Sequence, residues 1–334
     1  MSYFTEKLKI ESKIKKIKIV VAAIVAAVLL ALCIFSAFVP PATWKYRVAI
    51  PKINKRAAGE MRLHFLDVGQ GDSIIIELPD GKIMLIDGGN NDSKTEKSIM
   101  RYLYALKIAT IDYLVVTHAD SDHCGSLDTV LKYKKIKNAY IPKTNITVNK
   151  EYADFYAMLQ KEQCNVEYSA RSIILNNEGE YPYKLSFLLP YTLEVEEGEE
   201  ETKENNQSSA VIWLDYQGIS ALFAADATME MENNLMRDDK LGLLENRGVE
   251  LSSTEILKVA HHGSKYSSSL EFLQYLNLKT AVISCGEKNV YGHPTQEVLE
   301  NLNTVGAQIY RTDEDENILI SVSKHGKYQT KFVS

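Results

Sequence analysis

Cysteine is scarce in this 334-residue chain, with four thiols at positions 33, 124, 164 and 285. Cys33 falls in an apolar run, and the other three are odd in number and far apart, so no disulfide framework is implied. Each reads as a small buried apolar residue. Proline (8) and glycine (17) are too few, beside 45% apolar and 25% charged residues, for a collagen-like or disordered chain. No internal repeat is present, which excludes a solenoid. Histidine is also rare, at seven residues, so its clustering carries information.

Charge is divided unevenly along the chain. Residues 1–60 sum to +8 and residues 61–334 to −14. Within the basic part, Ile19–Val39 is 21 residues without a charge, enough at helical rise to cross a ~30 Å hydrocarbon core. Six lysines precede it and only Lys45 and Arg47 follow closely, so the positive-inside rule places the N-terminus in the cytoplasm and the body outside the cell. A cleaved signal peptide fits less well, because Phe38-Val39-Pro40-Pro41 replaces the small residues of a cleavage site. A lipoprotein reading fails similarly at Leu32, before Cys33. The expected division is a basic cytoplasmic tail over 1–18, a single-pass membrane helix over 19–39, a linker over 40–60 and a folded domain over 61–334.

In that domain, short runs rich in Val, Ile and Leu predict strands at Leu63–Val68, Ser73–Glu77, Ile83–Ile86, Tyr113–Thr117, Leu185–Leu189, Ala210–Asp215, Ala221–Ala225, Ile256–Ala260, Ala281–Ser284 and Ile318–Val322. Helical patterns fall at Thr95–Leu106, Leu127–Tyr133, Tyr152–Gln160, Met229–Met236, Ser269–Leu276 and Gln296–Val305. The mixture predicts an α/β sandwich with helices outside rather than a doubly wound open sheet. Glu194–Glu204, with seven glutamates, reads as an acidic surface loop.

The histidines and carboxylates gather at strand ends. His118-Ala119-Asp120-Ser121-Asp122-His123 puts four metal-type ligands in six residues at the exit of an apolar strand. Alternation along an extended chain turns His118 and Asp120 to one side. Asp226 follows Leu222-Phe223-Ala224-Ala225, and His261-His262-Gly263-Ser264 follows Leu257-Lys258-Val259-Ala260. Converging deprotonated ligands of this kind are what a divalent cation requires.

Together with Asp67-Val68-Gly69-Gln70-Gly71-Asp72-Ser73, Leu85-Ile86-Asp87-Gly88-Gly89 and Tyr291-Gly292-His293-Pro294, these motifs resemble the metallo-β-lactamase fold. Within it they resemble the soluble hydrolase domain of ComEC-type DNA-uptake competence proteins, over roughly residues 61–325. The resemblance implies a four-layer αββα sandwich behind one N-terminal transmembrane helix. The ligands it implies are His118, Asp120, Asp122, His123, Asp226 and His261. One N₂O₂ set, Asp122, His123, His261 and Asp226, suits Zn or Mn. The other, His118, Asp120 and a share of Asp226, is one strong ligand short. No histidine lies between His123 and His261, and the superfamily's third histidine would fall near Asn205-Asn206-Gln207-Ser208. One tight ion and a second, weak one are therefore expected.

Metal-assisted hydrolysis follows, with Asp120 or Asp72 accepting a proton and His293 donating to the leaving group or oxyanion. His262, Ser264 and Lys258 are the expected substrate contacts; His64 and His325 are expected to be structural or exposed. The resemblance favours a phosphodiester substrate, with single-stranded DNA outside the cell as its candidate. Against it, the −14 body has one dense basic run, Lys132–Lys137, which reads as cations at a helix end. A phosphodiesterase on cell-wall polymers or phosphocholine-type esters, and a non-catalytic metal-binding scaffold, are the alternatives. One span is too few for a channel, so a free-standing relative of the competence hydrolase domain is expected.

Overall fold

The computed structural model describes residues 2–191 and 208–334. The acidic segment Glu194–Glu204 and residues 205–207 lie outside that range. The chain divides into two compact units, Met1–Ala49 and Ile50–Ser334.

The first unit is a single helix, α1 (Ser2–Phe38), followed by a 3₁₀ turn at Pro41–Tyr46. The segment Glu6–Phe38 is long and apolar enough to cross a membrane. The helix continues upstream through the lysine-rich residues, so the basic tail and the apolar run form one rod. Of residues 40–60, read from sequence as a linker, 50–60 lie with the second unit. There Arg56 donates to the carbonyl of Glu60 at 2.9 Å, and Arg62 to that of Asn54 at 2.7 Å.

The second unit is built on two mixed sheets. The first runs in spatial order β14 (Tyr328–Val333), β13 (Asn317–Val322), β1 (Met61–Phe65), β2 (Ile74–Glu77), β3 (Ile83–Ile86), β4 (Thr110–Val115), β5 (Lys135–Ile141) and β6 (Asn165–Tyr168). The second runs β12 (Gln308–Arg311), β11 (Thr280–Ile283), β10 (Ile256–Lys258), β9 (Ile219–Phe223), β8 (Ile212–Tyr216) and β7 (Tyr183–Phe187). Each sheet is antiparallel in one half and parallel in the other, with β3 to β6 parallel in the first and β9 to β12 in the second. The helices are α2 (Ser93–Ala105), α3 (Ser121–Cys124), α4 (Leu127–Tyr133), α5 (Lys150–Leu159), α6 (Met229–Lys240), α7 (Leu270–Tyr275), α8 (Gln296–Thr304) and α9 (Thr312–Asp315).

Strand alternation assigns the side chains to layers. In β9, Ala221 and Phe223 face the space between the sheets, where Phe223 stacks on Phe65 at 6.3 Å, and Leu222 faces the outer helices. There it joins Leu257, with Leu235 of α6, Leu273 of α7 and Leu302 of α8. On the far side of the first sheet, α2 packs through Tyr102, whose hydroxyl lies 3.0 Å from Nδ1 of His64 in β1. This is the four-layer αββα arrangement. His64 is fully buried, its other nitrogen 3.0 Å from Glu77, and burial lowers its pKa; His325 is exposed.

Four strands are absent from the sequence expectation: β5, β6, β12 and β14. The reason is clearest at β5, which begins inside the basic run. Tyr133 ends α4, Lys134 is buried with its ammonium 2.6 Å from the Ile108 carbonyl and 3.9 Å over the Tyr104 ring, and Lys137 pairs with Asp112 at 2.6 Å. The run thus straddles a helix end and a strand whose buried Ile136 alternates with lysines.

Candidate metal centre

The sequence-predicted ligands converge where the parallel strands of both sheets end. That is the rim where open parallel sheets place their sites, because successive strands deliver loops to one edge. From the first sheet, β3 leads into Asp87 and β4 into Thr117-His118 and the Asp120–His123 turn. From the second, β9 leads into Asp226 and β10 into His261-His262. The β1–β2 turn lies directly beneath: the Asp72 amide donates to the Asp122 carbonyl at 3.1 Å. Gly71 makes this approach possible, since at its φ of +133° a Cβ would come within 2.3 Å of that carbonyl oxygen.

Hydrogen bonds fix which nitrogen of each ring faces the centre. Nδ1 of His262 lies 2.9 Å from the Ser284 carbonyl, which can only accept, so Nδ1 carries the proton and Nε2 is bare in the neutral ring. Nδ1 of His123 donates to Asp87 Oδ2 at 2.9 Å in the same way. Thr117 Oγ1 donates to Asp87 at 2.7 Å, leaving its lone pair for Nδ1 of His118 at 3.0 Å. One buried carboxylate, Asp87, therefore sets two imidazoles. The atoms Nε2 of His118, His123 and His262, with Oδ1 of Asp226, are all buried and have no hydrogen-bond partner among the described residues. They lie close together: His123 Nε2 is 3.3 Å and His262 Nε2 3.8 Å from Asp226 Oδ1, His118 Nε2 is 3.8 Å from Asp226 Oδ2, and His262 Nε2 is 3.4 Å from Asp122 Oδ2. Orphaned, converging N and O donors fit a divalent transition metal, which satisfies them together. Three groupings emerge among the described residues: His118, His123 and Asp226; Asp122, His123 and His262; and Asp72, Asp87 and His123, the last gathered on the Nδ1 side of His123 that already bonds Asp87.

The adjacent histidines differ from the sequence reading. His262, expected to contact substrate, is the imidazole beside Asp122 and His123. His261, expected in that set, instead places Nε2 3.5 Å from Asp226 Oδ2, with its side chain 25% exposed. Both residues have left-handed backbones, φ 49° and 54°, and Ala225 (φ 47°) and Asp87 (φ 60°) share that conformation. Consecutive left-handed residues splay the two rings in a way no strand or helix pattern anticipates. Such a conformation costs a non-glycine residue roughly 1–2 kcal/mol, and four of the ten described non-glycine residues with positive φ gather at this rim.

The field at the centre attracts positive charge. Burial alone would push the carboxyls of Asp226 and Asp122 up, but the facing imidazoles outweigh it and hold both below the ordinary range. Burial pushes His123 and His262 down, yet Asp226, with Asp87 at the first ring and Asp122 at the second, raises both above the ordinary histidine value. Burial dominates at His261 and His293, which are lowered.

Three other expectations change. Lys258 is not open to substrate: it shares the face of Ile256, the one turned toward the first sheet, and its ammonium pairs there with Asp72, both residues about 1% exposed. Asp72 is thereby enclosed, 3.5 Å from His262 Nδ1, and is not reachable by an attacking water. Ser264 is buried, its amide donating to the His261 carbonyl at 2.8 Å. The open side of the centre presents Asp120, whose side chain is 37% exposed, together with His261 and His293, whose rings meet edge to face at 5.7 Å. Sequence reasoning assigned no role to Asp87, Thr117 or Ser284. Asp-Gly-Gly at a strand end was the available signal for the first.

The family described as Metallo-beta-lactamase superfamily matches residues 66–287. Among curated proteins, the chain is 31% identical over 276 residues to ComE operon protein 3 of Bacillus subtilis, covering 78% of this chain and 33% of that protein. It is 28% identical over 253 residues to Recombination protein 2 of Haemophilus influenzae, covering 74% and 27%. It is also 28% identical over 247 residues to Competence protein ComA of Neisseria gonorrhoeae, covering 74% and 30%. The chain spans a third or less of the length of these relatives. With that match and the donor cluster on the two sheets' shared rim, the chain belongs to the metallo-β-lactamase superfamily of metal-dependent hydrolases and has competence proteins among its relatives.

Proposed function

We propose that this chain is a membrane-anchored phosphodiesterase, held by residues 19–39 with its N-terminus in the cytoplasm and its hydrolase domain outside the cell, and that it cleaves extracellular nucleic acid. The convergence of three bare imidazole nitrogens and the Asp226 carboxylate in one buried cluster carries the hydrolase part of this reading. Similarity to competence proteins supports the substrate, and six lysines ahead of the apolar run support the orientation.

Asp122, His123, His262 and Asp226 are the tight set for Zn or Mn. His118, Asp120 and Asp226, with His261 as the extra donor, form a weaker set. The weaker set has two donors in partial contact with solvent, Asp120 at 37% and His261 at 25%, against one in the tight set, Asp122 at 27%, which stands beside the enclosed His123 and His262. A divalent ion supplies Lewis acidity there, activating water near neutral pH and polarising the phosphoryl oxygen. The protein's own groups do the rest. Asp120 accepts the proton of the attacking water on the open side, and His293 donates to the departing oxygen. Asp87, Thr117 and Ser284 hold the imidazole tautomers, and Lys258 balances the enclosed Asp72.

The test uses the full chain in detergent, with Mn or Zn, on a single-stranded oligonucleotide and on bis(p-nitrophenyl) phosphate. Metal-dependent strand cleavage that Asp122→Ala removes supports the reading. Turnover of the small ester alone supports the second reading, a small-phosphodiester hydrolase, which the −14 body favours because net repulsion opposes polyanion binding. Metal bound without turnover of either substrate leaves the scaffold. Metal analysis after exhaustive dialysis should find one equivalent per chain; two retained equivalents overturn the unequal sites.

A further inference from the structure

A ladder of aromatic rings runs from the centre to solvent. His118 and His123 are 4.0 Å apart between centroids, His123 and His262 5.3 Å, His262 and His261 6.2 Å, and His261 and His293 5.7 Å. The last step differs in kind. Tyr291 lies nearly parallel to His293, at 5.8 Å and 25°. It is 66% exposed and flanked by Val290 at 93%. An aromatic ring stacked on one face and open on the other, beside the reactive centre, offers a flat surface on which a second ring can stack.

The open faces nearby are not equivalent. Tyr266, on the loop that follows the histidine pair, is 64% exposed, but the Lys265 ammonium sits 5.1 Å over its ring. Tyr291 presents one flat surface rather than an enclosing cage. A quaternary ammonium is recognised by several converging faces, whereas a nucleobase needs one plane to stack on. We infer that Tyr291, backed by His293, is the platform for the base of the nucleotide next to the scissile phosphate. It thereby makes the site selective for base-bearing phosphodiesters over other phosphodiesters. This rests on the phosphodiesterase reading above. It also resolves a difficulty of that reading: a −14 domain without a basic stripe gains strand affinity from stacking, which every base offers and which does not depend on net charge.

The experiment compares a single-stranded oligonucleotide with its abasic counterpart, which has the same phosphodiester backbone and no bases. It uses the full chain in detergent as wild type, Tyr291→Phe and Tyr291→Ala. With metal chelated, fluorescence anisotropy should show the base-bearing strand bound about tenfold more tightly than the abasic one, roughly 1.4 kcal/mol. That ratio should persist in Tyr291→Phe and collapse toward one in Tyr291→Ala. With metal restored, the same preference should appear in KM and leave kcat little changed. A preference that survives in Tyr291→Ala overturns the inference, as does equal loss on both strands or no binding of either. If binding shows the preference but neither strand is cleaved, the phosphodiesterase reading fails and the stacking platform stands.

Discussion

Replacing Asp87 by Asn isolates what one buried carboxylate does for the centre. Asp87 accepts three bonds: from the Thr117 amide at 2.8 Å, the Thr117 hydroxyl at 2.7 Å and His123 Nδ1 at 2.9 Å. Asn is close in shape and tolerates the left-handed backbone of φ 60°, so backbone strain is not added. Its single oxygen cannot serve both sides. If the amide group faces the Thr117 N–H, two donors oppose each other in the interior, at about 1–3 kcal/mol. If it faces His123, Nδ1 must accept, the proton moves to Nε2, and the ligating lone pair is lost. Either outcome weakens metal binding, and loss of a partner that orients a ligand typically costs 10- to 100-fold in affinity. Competition with a chromophoric chelator should show that loss for Asp87→Asn, with the chelated protein still folding cooperatively. An affinity within twofold of wild type refutes the tautomer argument.

The histidine pair gives a stoichiometric prediction: His262→Ala should lose the tightly held equivalent in metal analysis, whereas His261→Ala should retain it and lose only the weaker one. Because His123 and His262 are raised above the ordinary histidine value and must shed protons to bind a cation, metal affinity should increase from pH 6 to pH 8; a pH-independent constant in chelator competition contradicts this. In α6, Glu232 is buried while accepting the Ser268 and Ser269 amides, and burial pushes its carboxyl from 4.5 up to about 7. With the folded value the higher one, its contribution is complete below about pH 4.5 and is lost as pH rises through 7, by roughly 3 kcal/mol. Thermal unfolding of chelated protein should therefore show wild type losing more stability than Glu232→Gln between pH 5 and pH 8.

Much of this was legible from one sequence because it lies in local patterns. The uncharged run Ile19–Val39 marks a candidate span through length and composition alone, and α1 includes all of it except Val39. Apolar runs marked ten strands because a buried strand needs little more than its own side chains to declare itself. Lys135–Ile141 escaped because its lysines alternate with buried residues, so a period of two read as a basic cluster. Strand-end clusters likewise marked the candidate ligands as types, since a cation needs several donors brought close and six of them sit in three short segments.

Their division between groupings lay elsewhere. Two adjacent histidines look equivalent in a sequence, and only successive left-handed backbones at 261 and 262 turn one ring toward Asp122 and the other toward the open side of Asp226. Lys258 and Asp72 are 186 residues apart, and only the facing of two sheets turns an apparently solvated lysine into the enclosed partner of an aspartate. Composition and periodicity determined which residues are inside, which segments are helical or extended and which side chains can bind a cation. Tertiary structure decided which ligands meet, which nitrogen each presents and which groups a substrate can touch, because those depend on distances between strands that the chain order does not encode.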